Sequence, residues 1–167
     1  MADEYHDWLR EAWKEVCEDF CKGIFKPSNE KDITDHLYRK MKMREKEDSD
    51  VMPEFGIADA KIDLQIITYE KDKLIPCLPI EVKETHYPTR TAFQVIKKIK
   101  DDVSKLRKYQ LILTYESGRK PAYVFFFRGA TETGIDERTD KDMELVLKQY
   151  PDIEFLWGPR PRKNKEG

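Results

Sequence analysis

The chain of 167 residues balances 31 Lys and Arg against 33 Asp and Glu, a net charge of −2. That balance excludes binding to nucleic acid through bulk positive charge and leaves any such contact to local basic patches. With 39% hydrophobic and 38% charged residues, and with the apolar positions in periodic clusters, the composition specifies a folded domain and not a disordered chain.

From Glu4 to Ile24 the apolar residues Leu9, Trp13, Val16, Cys17, Phe20 and Ile24 recur at helical spacing and predict an amphipathic helix within residues 1–28. Pro27 breaks it, and Ser28 and Asn29 are capping candidates for a second helix with Ile33, Leu37 and Met41 on one stripe. After the charged loop "REKEDSD" come three extended segments: "VMPEF" (51–55), "KIDLQIITY" (61–69) and "LIPCLPIEVKE" (74–84). The last is expected to become strand only beyond Pro79, because a proline in a strand removes a ladder donor. The loop "EKDK" (70–73) is short enough to join the last two strands as an antiparallel hairpin.

A long helix is expected from about Thr91, with Ala92, Ile96, Ile99, Val103 and Leu106 in line. Periodicity leaves open whether "LILTY" continues it or turns to strand. After the turn "ESGRKP", the run "AYVFFF" (122–127) reads as a strand buried on both faces. Residues 128–167 hold a short helix at about Asp140 to Gln149, a strand "IEFLW" (153–157) and a basic tail. The whole order is that of one α/β domain over residues 1–167, a mixed central β-sheet flanked by helices.

No apolar run reaches the ~20 residues of a membrane span. The opening "MADEYHDWLR" is acidic where a secretion signal is basic and then apolar, so the cytoplasm is the expected compartment and no membrane partner is expected. Cys17, Cys21 and Cys77 lack metal-binding spacing and read as reduced thiols, and His6, His36 and His86 are scattered.

The chemistry concentrates in "IEVKET" (80–85) and "AKIDLQII" (60–67). Strand side chains alternate, so Glu81 and Lys83 share one face while Ile80, Val82 and Glu84 share the other. Asp63 holds the matching place on the neighbouring strand, between Ile62 and Leu64. Two carboxylates and an ammonium on one face of a sheet are costly to bury uncompensated. Either Lys83 bridges the two acids as a structural ion pair, or the carboxylates take a divalent cation, Mg²⁺ or Mn²⁺ by the hardness of their oxygens.

An aspartate in an apolar strand, then an apolar-Glu-apolar-Lys strand, then a long helix, resembles the PD-(D/E)XK nuclease superfamily, also called restriction-endonuclease-like. The matching residues are Asp63 in "KIDLQ" and Glu81 and Lys83 in "IEVK", the one E-x-K of the chain; the element order matches over residues 29–127. Ile62 stands where the family motif carries a proline. The resemblance implies a restriction-endonuclease-like core and a metal-dependent endonuclease. In it Asp63, Glu81 and Lys83 are catalytic, and Mg²⁺ or Mn²⁺ is held by Asp63 and Glu81. The products would be a 5′-phosphate and a 3′-hydroxyl. DNA is the expected substrate and a homodimer a candidate assembly, with an RNA endonuclease or a non-catalytic nucleic-acid-binding or protein-interaction module on the same scaffold as alternatives.

The family often adds an acid on the helix before the first core strand. Glu30 is the candidate here, since at ~100° per residue it falls on the Leu37 and Met41 arc; the helix dipole would also favour a carboxylate in that first turn. Glu54 is a second candidate for the same service. Gln94 invites comparison with a helix glutamine of some branches, although it lies opposite the apolar stripe, beside Lys98 and Lys105. "KKIKDDVSKLRK" (97–108) holds six basic residues against two acids, so Gln94, Lys97, Lys98 and Lys105 are the candidate nucleic-acid contacts, with Arg160, Arg162, Lys163 and Lys165 of the tail. His86 is a further substrate-contact candidate; such basic runs also occur as plain solvated helix faces.

Overall fold

Local chemistry fixes the helix ends. In the computed structural model, which describes residues 2–57, 60–86, 92–112, 120–128, 144, 145 and 148–158, α1 spans Ala2–Cys21. It buries Trp8, Leu9, Ala12, Trp13 and Val16. It stops where Gly23 takes φ 73°, a left-handed value open to glycine, and the N–H of Ile24 returns to Asp19 O at 2.9 Å. Ile24, expected on the buried stripe, therefore falls beyond the helix and is exposed.

The second helix, α2 (Glu30–Lys42), is capped by Asn29, whose Oδ1 accepts the Asp32 N–H at 2.9 Å, while the Asp32 carboxylate accepts the Ser28 N–H at 2.7 Å. This reciprocal cap satisfies donors the first turn would leave open. Ile33, Leu37 and Met41 are buried, as the stripe predicts.

Five strands follow: β1 (Ser49–Ile57), β2 (Ala60–Glu70), β3 (Lys73–His86), then after α3 (Ala92–Ile112) β4 (Ala122–Arg128) and β5 (Glu154–Trp157). They form one sheet in the order β1-β2-β3-β4-β5. The first three are antiparallel, and β3-β4-β5 are parallel, so the sheet is mixed as expected. The β2–β3 turn has only Lys71 and Asp72 between the paired Glu70 and Lys73, with φ of 48° and 65°, the two-residue geometry that matches strand twist.

One expectation is corrected. β3 runs as strand through both Pro76 and Pro79, not only beyond them. Upstream of Ile80, β3 has no second neighbour, because β4 pairs with it only from Ile80 onward. A proline there has an open side with no ladder to disturb, and a register shift at Ile66/Ile67 accommodates the segment.

The sheet separates two cores. On one side α1 and α2 pack Trp8, Leu9, Trp13, Val16, Ile33, Leu37 and Met41 against Leu64, Ile66, Ile80, Val82, Val124 and Phe126. On the other, α3 packs Ile99, Val103, Leu106 and Tyr109 against Ile62, Tyr123 and Phe125. β4, flanked by β3 and β5, is buried on both faces from Ala122 to Phe126, as its unbroken apolar run predicts. The expected helix at 140–149 is described only at residues 144, 145, 148 and 149, which are helical, and the fate of "LILTY" beyond Ile112 lies outside the described residues. Among the described residues no helix is long and apolar enough to cross a membrane.

Candidate active site

The site is built where two hairpin strands part. β2 and β3 stay paired from Glu70↔Lys73 to Leu64↔Ile80, and there their ladder ends. β2 continues beside β1 to Ala60, and β3 continues beside β4 to His86. Asp63 is the first β2 residue past this fork, and its Oδ2 accepts the N–H of Val82 at 2.8 Å. A side chain thus supplies the acceptor that the departing strand no longer offers, which a buried N–H requires.

Val82 faces the α1/α2 core, so its neighbours Glu81 and Lys83 face α3, as the alternation predicts. Glu81 is 2% exposed. Lys105 of α3 places Nζ 2.7 Å from Glu81 Oε1, a close ion pair with a hydrogen bond from the ammonium. Burial, and then the neighbouring Asp63 charge, raise the Glu81 carboxyl to about 9, against the opposing pull of Lys105.

Lys83 Nζ lies 3.0 Å from Asp102 Oδ2 and 3.6 Å from Glu30 Oε1. Burial works against its charge, but the Asp102 and Glu30 carboxylates outweigh burial and hold its pKa above the ordinary lysine value. The Tyr123 hydroxyl, on the face of β4 turned to α3, donates to the same Asp102 oxygen; burial and that carboxylate push the phenol strongly up. Glu30, at the start of α2, accepts the Glu84 N–H on Oε2 at 3.2 Å. Burial raises its pKa despite Lys83. Asp63, Glu81, Lys83, Glu30, Asp102 and Lys105 are therefore one linked cluster at the fork.

The remaining candidates lie elsewhere. Lys97, Lys98 and Gln94 are on the exposed side of α3. Lys105 differs from them: it is turned to the acids and not to an outside phosphate. Glu54 is exposed on β1 with φ 50°. The His86 side chain and the basic tail lie outside the described residues. The motif does not single out Asp102 or Tyr123, which the structure brings to Lys83. The signal for Asp102 was an acid in a strongly basic helix, three residues before Lys105 and bordering the Ile99–Val103–Leu106 stripe; for Tyr123 it was the single hydroxyl in "AYVFFF".

Among the described residues no three Asp, Glu, His or Cys side chains form a ready-made metal cage. Asp63 and Glu81 offer a pair of hard oxygen donors set against each other, the Glu81 carboxyl buried. Mg²⁺ is commonly bound by one or two carboxylates and retains water on its other positions, so the donor set fits such an ion without a third protein ligand. No protein family, curated protein or solved structure matches this chain.

Proposed function

We propose that the protein is a Mg²⁺- or Mn²⁺-dependent nuclease that hydrolyses phosphodiester bonds, with DNA as substrate. One observation carries the reading: Asp63, Glu81 and Lys83 come together at the fork between β2 and β3, where the buried Glu81 carboxyl lies against Asp63 and within electrostatic reach of Lys83. Asp63 and Glu81 would hold the ion. Bound there, it would polarise a phosphate and acidify water.

Lys83 would offset the negative charge that gathers on the phosphate as the bond breaks. Asp102, itself oriented by Tyr123, and Glu30 hold that ammonium charged and in place. Lys97, Lys98, Lys100 and Lys108 are exposed along α3 and suit contacts to the phosphate backbone, which position a duplex without reading its sequence.

The test is cleavage of plasmid and single-stranded DNA with Mg²⁺ or Mn²⁺. Asp63→Asn and Lys83→Ala should each lower the rate by about a thousandfold or more, with circular dichroism unchanged. Equal cleavage by both variants would end the proposal. A second reading rests on the pairs Lys105–Glu81 and Lys83–Asp102, which neutralise the acids within the chain: a nucleic-acid-binding module without catalysis. Salt-sensitive binding of DNA with no Mn²⁺-stimulated cleavage would select it, and a panel including RNA decides the substrate.

A further inference from the structure

Lys105 belongs to no motif, yet it makes the closest charged contact to the most buried carboxylate of the cluster. Its Nζ stands 2.7 Å from Glu81 Oε1, with the lysine side chain 30% exposed and the glutamate 2%. Lys83 cannot take its place, being engaged by Asp102 at 3.0 Å and Glu30 at 3.6 Å. α3 itself is anchored by Ile99, Val103 and Leu106, so Lys105 is not needed to dock the helix.

We propose that Lys105 is an internal counter-ion that occupies the Glu81 member of the acid pair and competes directly with the divalent cation, so that it sets the affinity of the site. The proposal rests on the reading of Asp63 and Glu81 as metal ligands. Its physics is exclusion. Two cations on one buried oxygen would stand only ~4–5 Å apart, with no water between them to screen their repulsion. The divalent ion brings two charges to two carboxylates where the ammonium brings one, so a sufficient concentration of it wins. The half-exposed lysine stem then swings the ammonium to water, where a long flexible chain is at ease. A tethered ammonium also holds off monovalent ions, which offer no more charge than it does.

The experiment is isothermal calorimetry of Mn²⁺ with the full chain as wild type, Lys105→Met and Lys105→Arg, alongside thermal melts with and without Mn²⁺. Removing the competitor should tighten Mn²⁺ binding in Lys105→Met by about tenfold or more, while Lys105→Arg stays near wild type. The metal-free Tm of Lys105→Met should fall, because Glu81 loses its counter-charge, and the rise in Tm on adding Mn²⁺ should exceed that of wild type. Should Lys105→Met fold poorly, Lys105→Gln reads the same quantity. Mn²⁺ binding that is equal in wild type and Lys105→Met, or weaker in the variant, overturns the competition while leaving the nuclease reading intact. Binding in the variant but not in wild type supports competition in its strongest form. Absence of Mn²⁺ binding in every variant overturns both.

Discussion

The two faces of the sheet are built to different rules. Against α1 and α2 the sheet presents Leu64, Ile66, Ile80, Val82, Val124 and Phe126, and the helices answer with tryptophan, leucine and isoleucine. The indole donors there are paired: Trp8 Nε1 donates to Met41 O at 3.1 Å and Trp13 Nε1 to Trp157 O at 2.7 Å. Against α3 the same strands interleave Tyr123 and Phe125 with Glu81 and Lys83, and the buried Glu81 carboxyl is held between Asp63 and Lys105. One face is arranged for cohesion. The other keeps charges that cohesion alone would discard, the pattern expected where a site is maintained at some cost in stability.

The largest effect should come from the cohesive face. Phe126 is fully buried and meets the rings of Trp13, Phe20 and Phe25 at centroid distances of 6.5, 4.9 and 6.4 Å. Phe126→Ala should cost about 3–5 kcal/mol in urea unfolding, from lost burial and the cavity left behind. A loss under about 1 kcal/mol would mean that this face is not the stabilising half.

The charged face should answer with the opposite sign. Glu81→Gln removes a buried carboxyl set beside Asp63 and leaves Lys105, which is 30% exposed, free to hydrate. In metal-free protein the variant should be more stable than wild type by about 1–2 kcal/mol. Were the cluster a purely structural ion pair, the same change would break a buried pair and destabilise by about 3–5 kcal/mol. The sign of the change in urea midpoint separates the two.

Much of this contrast could be read in the sequence because strand alternation is a strong constraint. The two-residue turn at Lys71 and Asp72 sets the first pairs, from Glu70 with Lys73 to Ile67 with Pro76. A shift of one residue at Ile66/Ile67, which the turn does not dictate, then brings Leu64 opposite Ile80, so that Asp63 and Glu81 both fall just past the end of that ladder. Helical periodicity likewise yields Leu37, Met41, Ile99 and Val103 as core. The failures are tertiary. Pro76 and Pro79 are tolerated because β4 starts its pairing only at Ile80, which no local pattern records. Asp102 and Lys105 lie at the edge of an apolar stripe, where the side chain's direction depends on what the opposing strand offers. Here that is Lys83 and Glu81. At the level of the fold, the expected mixed sheet is present, with five strands and helices on both sides.

The smallest expected effect tests whether the cohesive face is as free of electrostatic debt as its core suggests. At its rim, Glu154 of β5 takes Arg10 Nε at 2.6 Å and contacts His6 Nδ1, tying α1 to the last strand. Burial pushes the Glu154 carboxyl up, but the bonds to His6 and Arg10 outweigh it and hold its pKa below the ordinary value. A depressed folded pKa contributes stability that is fully present above the unfolded value, ~4.3, and is lost as pH falls through the folded value. Wild type should therefore exceed Glu154→Gln by about 1 kcal/mol at pH 7, and the gap should close as the pH is taken below 4. Melts of both proteins from pH 7 down to pH 3 measure this directly, and a gap that stays constant across that range would show that the Glu154 contacts act through packing and not through charge.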